Sequence, residues 1–234
     1  VSITIDTCKF TNIQVSESGG ALSTDVFQNL LVQNCSFTQC STTGTKNGGA
    51  IYINNQFPST SSVVPKAKIT DCIFIQNRAS NGHGNHVTGS NSIFEITDCI
   101  FTDNSNSQYV IVTNQIKESH FDNNVFNFTQ ETNACGAIIL NNIGNHYISN
   151  CLFEKTNSQG SILYNIGSGG SDYHISIESC IFNKFIGSNS PAFNIKCTHA
   201  ITFHNNTISN RNGNYIGLIS NTASCPIKSL TLSS

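Results

Sequence analysis

Two Asp-Cys dipeptides, Asp71-Cys72 and Asp98-Cys99, set a carboxylate beside a thiol at the same point of a repeated phrase. If each phrase marks one layer of a stack, the two carboxylates lie one strand spacing apart, roughly 4.8 Å. Carboxylates at a defined separation are what glycoside hydrolysis uses. His83 and His86, in Gly82-His83-Gly84-Asn85-His86, offer two imidazoles to a metal. Tyr52, Tyr109, Tyr164 and Tyr215 offer rings on which sugars could stack, and ten cysteines offer thiol, disulfide or zinc chemistry. Each has a plainer reading. Asp tolerates the left-handed backbone of a tight bend. Histidines in a Gly-rich loop are usually solvated. Tyrosine is an ordinary strand residue. No CxxC and no Cys/His cluster occurs at zinc-ligand spacing, and there is no Ser-His-Asp spacing or phosphate loop. The expectation is therefore no catalytic residue, no metal and no cofactor.

The element that positions these residues is a phrase with an aliphatic residue, a small polar residue three places on and a bulky apolar residue five places on. It occurs at Ile5/Cys8/Phe10, Val32/Cys35/Phe37, Ile69/Cys72/Phe74, Ile96/Cys99/Phe101, Ile116/Ser119/Phe121, Ile148/Cys151/Phe153, Ile177/Cys180/Phe182 and Phe203/Asn206/Ile208. The middle positions are 27, 37, 27, 20, 32, 29 and 26 residues apart, a period that marks a solenoid. Inward residues of a strand sit two apart, so a spacing of three requires a bend. Asn34, Asp71, Asp98, Asn150 and Asn205 precede the small residue and suit such a bend. Each phrase reads as strand, corner, strand.

A third strand follows each corner, at Ala21-Leu22, Ala50 to Ile53, Val87, Tyr109 to Val112, Ala137 to Leu140, Ile162 to Tyr164, Ala192 to Ile195 and Tyr215 to Ile219. The fold class is all-β: a right-handed parallel β-helix of about eight coils, each of three short strands, forming a single β-helix domain over residues 1–234. A β-sandwich would leave the constant phase of the phrase unexplained.

At this point short motifs resemble a known group. Gly19-Gly20-Ala21-Leu22 and Gly48-Gly49-Ala50-Ile51 resemble the GGA[IL] motif of polymorphic outer-membrane protein repeats. Phe74 to Asn77, Phe101 to Asn104 and Phe121 to Asn124 resemble the FxxN motif of those repeats. The corner at 201–208 is similar to pectate-lyase-like β-helices, in which an inward Asn ladder lines a tight turn. The resemblance implies the architecture and, from the bacterial members, an adhesive role. Cys135-Gly136-Ala137-Ile138 and Gly160-Ser161-Ile162 depart from the double glycine.

Cys8, Cys35, Cys72, Cys99, Cys151 and Cys180 occupy the small-residue slot, with Ser119 and Asn206 filling it elsewhere. They read as a structural ladder of free thiols and small polar groups. Cys197 and Cys225, about one repeat apart, are a disulfide candidate. Asn34, Asn127 and Asn205 begin N-x-S/T sequons and are candidate glycosylation sites.

Only 10% of residues are charged, and the net charge is −2. Scattered Lys and Arg do not build a nucleic-acid surface, and no segment has the ~20 apolar residues of a membrane helix. The chain opens on Val and lacks Met, so it reads as a segment of a longer protein. The expected function is a non-enzymatic structural or adhesive solenoid, extracellular or on a cell surface. Expected partners are further copies end to end, other surface proteins or glycans. The loops Asn54 to Lys66 and Asn165 to Tyr173 are the expected contact points. The alternative is a carbohydrate-active enzyme of lyase or hydrolase type, or a glycan-binding module.

Overall fold

The computed structural model describes residues 1–55, 63–79, 82, 84–89, 91–104, 109–128, 136–141, 144–155, 162–165, 173–183, 193–196, 200–209, 217–220 and 229–234. Among them every regular element is a strand. Three parallel sheets of nine, eight and eight strands stack into a β-solenoid. Each circuit visits the first, second and third sheet in turn, as in Ile93–Thr97, Ile100–Thr102 and Tyr109–Asn114. A two-stranded addition, Gln14–Val15 with Ser41–Thr42, extends the second corner at one end.

The corner phrase appears as two inward columns. Ile5, Val32, Ile69, Ile96, Phe121, Ile148, Ile177 and Phe203 follow one another in the first sheet. In the second sheet Phe10, Phe37, Phe74, Phe101, Phe126, Phe153 and Phe182 stack face to face. Their ring centroids are 4.7 to 5.1 Å apart, and the planes lie within 9° of parallel. Each ring contact contributes about 0.5–1.5 kcal/mol beyond its buried area. The strand spacing of the solenoid sets that stack, so core and coil repeat reinforce one another.

One repeat is phased differently from the sequence reading. Phe121 lies opposite Ile96, and Ser119 lies opposite Phe94 in mid-strand. The phrase in this coil is therefore Phe121/Asn124/Phe126, and Asn124 takes the corner slot in place of Ser119. Phe121 satisfies either role in the pattern, which is why the spacing misleads. The third FxxN segment, Phe121 to Asn124, accordingly lies at a different corner from Phe74 to Asn77 and Phe101 to Asn104.

The double glycines have a local cause. Gly19, Gly48 and Gly82 share a left-handed backbone just before the third-sheet strands. A Cβ on Gly48 would stand 2.3 Å from the Ile51 carbonyl oxygen. A Cβ on Gly20 would stand 2.0 Å from the Gly49 carbonyl oxygen in the next coil. Any side chain there would force the coils apart.

Candidate functional surface

The first corner, between the first and second sheets, holds the ladder. Thr7, Asn34, Asp71, Asp98, Asn123, Asn150, Ser179 and Asn205 have φ between 51° and 57°. This left-handed step sends the next residue inward. The thiols of Cys35, Cys72, Cys99, Cys151 and Cys180 then face the carbonyls of Ile5, Val32, Ile69, Phe121 and Ile148 in the preceding coil, at 3.6 to 3.9 Å. All seven described cysteines, Cys40 included, carry free thiols. Burial pushes the Cys99 and Cys151 thiols well above the ordinary thiol range, and each has a neighbouring thiol, Cys72 or Cys180, acting in the same direction. These thiols are poor nucleophiles.

Asn fills the same slot with stronger bonds. Asn124 Nδ2 donates to the Ile96 carbonyl at 2.9 Å, and its Oδ1 accepts the Cys99 N–H at 3.0 Å. Asn206 repeats this with the Ile177 carbonyl at 2.7 Å and the Cys180 N–H at 2.9 Å.

Outside the first corner the polar side chains form a second comb. Asn34 Nδ2 donates to Asp6 Oδ1 at 3.0 Å, and Asn123 Nδ2 donates to Asp98 Oδ1 at 2.7 Å. Asp122 Oδ1 accepts from Ser149 and Asn150 at 2.7 and 2.8 Å. Hydrogen bonds from Asn34, Gln33 and Thr7 hold the Asp6 carboxyl below its usual range. Asp71 Oδ2 accepts from Thr70 at 3.0 Å. Asp71 and Asp98 thus have the left-handed backbone their position demands, and each carboxylate is tied to a neighbour.

The outward face of the first sheet carries a group of chemistry-bearing side chains. Lys66 Nζ lies 2.6 Å from Glu95 Oε1. His120 Nε2 lies 2.7 Å from Glu118 Oε1, and its ring stacks on Tyr147 with centroids 4.8 Å apart. Tyr147 meets His174 edge-on, and His174 Nε2 reaches Thr202 Oγ1 at 3.0 Å. The stacked rings cover one another's faces and present their edges outward. Beneath them His146 is fully buried, with Nδ1 2.7 Å from the Ser119 hydroxyl. Burial, aided by the charge on His120, depresses its pKa to about 3. This face had no sequence signal beyond alternation, because its members are separated by whole coils.

Other expected residues fall as follows. Asn34 and Asn205 are exposed at the first corner, and each amide donates to the neighbouring comb. Asn127 is half-buried at the end of its second-sheet strand. Tyr109 is buried, which removes it as a sugar platform. Tyr52 is half-buried and tilts against His86 with centroids 5.6 Å apart. His86 is buried, its pKa depressed to about 4 by that burial, and its Nε2 lies 3.0 Å from Asn114 Nδ2. Among the described residues no three His, Cys, Asp or Glu side chains gather at metal-binding distance. His83, Tyr215, Cys135, Cys197, Cys225 and most of the two expected contact loops lie outside the described residues. No family model, no curated protein and no solved structure matches the chain.

Proposed function

We propose that the chain is a non-enzymatic structural or adhesive β-solenoid of an extracellular or cell surface. The observation that carries this reading is the state of its carboxylates. Asp6, Asp98, Asp122, Glu95 and Glu118 each bond a side chain of the solenoid wall, four of them one from an adjacent coil. A general acid or base needs an oxygen aimed at substrate, whereas these oxygens stitch the wall together. The GGA[IL] and FxxN segments, similar to adhesin repeats, support the same reading, as do the sequons at Asn34, Asn127 and Asn205.

Self-association belongs to this proposal. Leu230 and Leu232 continue the inward columns of Ile201 and Phe203 and are 49% and 68% exposed. A strand of this kind is a template for a further coil, whether supplied by later residues of the same protein, by a second copy or by another surface protein. Sedimentation over a hundredfold concentration range should show end-to-end oligomers that Leu232→Arg abolishes. A strictly monomeric mass throughout would contradict assembly. Release of products from a polysaccharide panel would contradict the non-enzymatic reading and favour the lyase or hydrolase alternative.

A further inference from the structure

The second corner, between the second-sheet strands and the short Gln14–Val15/Ser41–Thr42 sheet, builds a cleft of about 240 Å³ lined by Asn12, Gln39, Ser41, Gln76 and Arg78. Its construction follows from the backbone. Asn12, Gln39 and Gln76 take φ of 56°, 55° and 53° at the same slot of three successive coils. That step turns Cys40 and Asn77 inward, where both are fully buried. Ser41 and Arg78, one residue further on, turn outward again and pair as a parallel bridge. The outer wall is thus two columns, with the carboxamides of Asn12, Gln39 and Gln76, followed one coil on by Asp103, in one and a hydroxyl and guanidinium in the other.

The floor is rigid. Cys40 N–H donates to Asn77 Oδ1 at 2.9 Å, and Asn77 N–H donates to Asn104 Oδ1 at 3.0 Å. Asn77 Nδ2 donates to the Phe37 carbonyl at 2.9 Å. On the wall, Gln39 Nε2 donates to Gln76 Oε1 at 3.1 Å, which leaves the Gln76 amide N–H and the Gln39 oxygen for a ligand. Among the described residues no carboxylate pairs with Arg78.

We propose that this cleft binds an acidic sugar, a monoanionic group carried beside hydroxyls. All five lining residues are polar, so an apolar ligand finds no partner. The single guanidinium suits a planar or tetrahedral oxyanion through paired N–H donors. The carboxamides and Ser41 supply both donors and acceptors, which hydroxyls need and a bare anion does not. The volume is below the roughly 300 Å³ at which pockets for drug-sized ligands begin, which fits one sugar ring. The proposal deepens the adhesive reading and rests on it, since it names what the surface would hold without turnover.

The test is a calorimetric titration of the whole chain with glucuronate, glucose 6-sulfate, glucose, acetate and inorganic sulfate at constant ionic strength. At least one acidic sugar should bind about tenfold more tightly than glucose, acetate or sulfate, and the two acidic probes distinguish carboxylate from sulfate ester. Arg78→Gln, at an exposed position, should weaken that binding about tenfold with an unchanged circular dichroism spectrum. Gln76→Ala, which removes an amide but no charge, should weaken it about threefold. Equal binding of acetate or sulfate, equal binding of glucose, or undiminished binding by Arg78→Gln would overturn the proposal. The adhesive reading fails separately, by product release.

Discussion

The two corners of this solenoid solve one geometric problem with different side chains. Both use a left-handed residue to turn the chain and a small inward residue to line the bend. At the first corner that inward residue is mostly Cys; the thiols of Cys35, Cys72, Cys99 and Cys180 lie 3.0 to 3.3 Å from the carbonyl two residues before them, and these four and Cys151 lie 3.6 to 3.9 Å from one in the preceding coil. At the second it is Asn77 or Asn104 beside Cys40, and the amides close bonds of 2.8 to 3.0 Å. A thiol is a weak donor and a weak acceptor, so each of these contacts contributes little. An amide satisfies a donor and an acceptor of the backbone at once, and burial makes the loss of either expensive. The first corner is therefore held mostly by packing and weak thiol bonds, and the second by a frame of amide hydrogen bonds. The frame lies beneath the outward cleft of Gln39, Gln76 and Arg78.

Removing one inward residue from each corner should separate them most widely. Asn77→Ala leaves the buried Cys40 N–H without its partner and removes the amide bond to the Phe37 carbonyl, a loss of about 2–3 kcal/mol. Cys72→Ala removes one small side chain and should cost about 1 kcal/mol. Urea denaturation of both variants measures the gap, and equal losses would erase the distinction.

Acid should act on the sheet walls rather than on either inward ladder. His146 and His86 have pKa values of about 3 and about 4 in the fold, against about 6.5 when unfolded. The unfolded chain therefore binds protons first, and stability falls as pH drops from 6.5 towards 3. The contribution is on the order of 3 kcal/mol for His86 and 5 kcal/mol for His146. His146→Asn should flatten the pH dependence of thermal unfolding between pH 6.5 and 4. The Asp6 comb has a depressed pKa, so its contribution is present above the ordinary carboxyl range and is lost only below it.

A smaller effect comes from exchanging the ladder chemistries at one corner. Cys99→Asn gives the slot the amide geometry of Asn124 and Asn206, and should stabilise by about 1 kcal/mol. Asn124→Cys should destabilise by a similar amount. The least energetic probe is labelling. Cys8 is half-buried whereas Cys35, Cys40, Cys72, Cys99, Cys151 and Cys180 are buried. Among these, Cys8 should react first with a thiol reagent under native conditions, as peptide mapping would show.

The corner was legible in sequence because a spacing of three breaks strand parity, and Asn or Asp marks the break. Asn34, Asp71, Asp98, Asn150 and Asn205 all have the left-handed backbone their types suggested. The third strands were legible from short apolar runs, and even the run around Val87 forms a strand, Asn85–Thr88. Spacing alone puts Ser119 in the corner slot because Phe121 satisfies two positions of the same pattern, and only interstrand pairing decides between them. The second-corner cleft was not legible. The phrase aligns Gln39 with Gln76, two places after Phe37 and Phe74, but nothing in that alignment of residues 37 apart shows that they line a cleft with Asn12, Ser41 and Arg78. The His120–Tyr147 stack was hidden for the same reason.

The most direct test of the account is a two-dimensional amide NMR titration with the acidic sugar. The account predicts shifts confined to Asn12, the Gln39–Ser41 segment and the Gln76–Arg78 segment, with unchanged signals at Asp71-Cys72 and Asp98-Cys99 and no new sugar resonances. Shifts centred on the first corner, or product resonances growing with time, would contradict it.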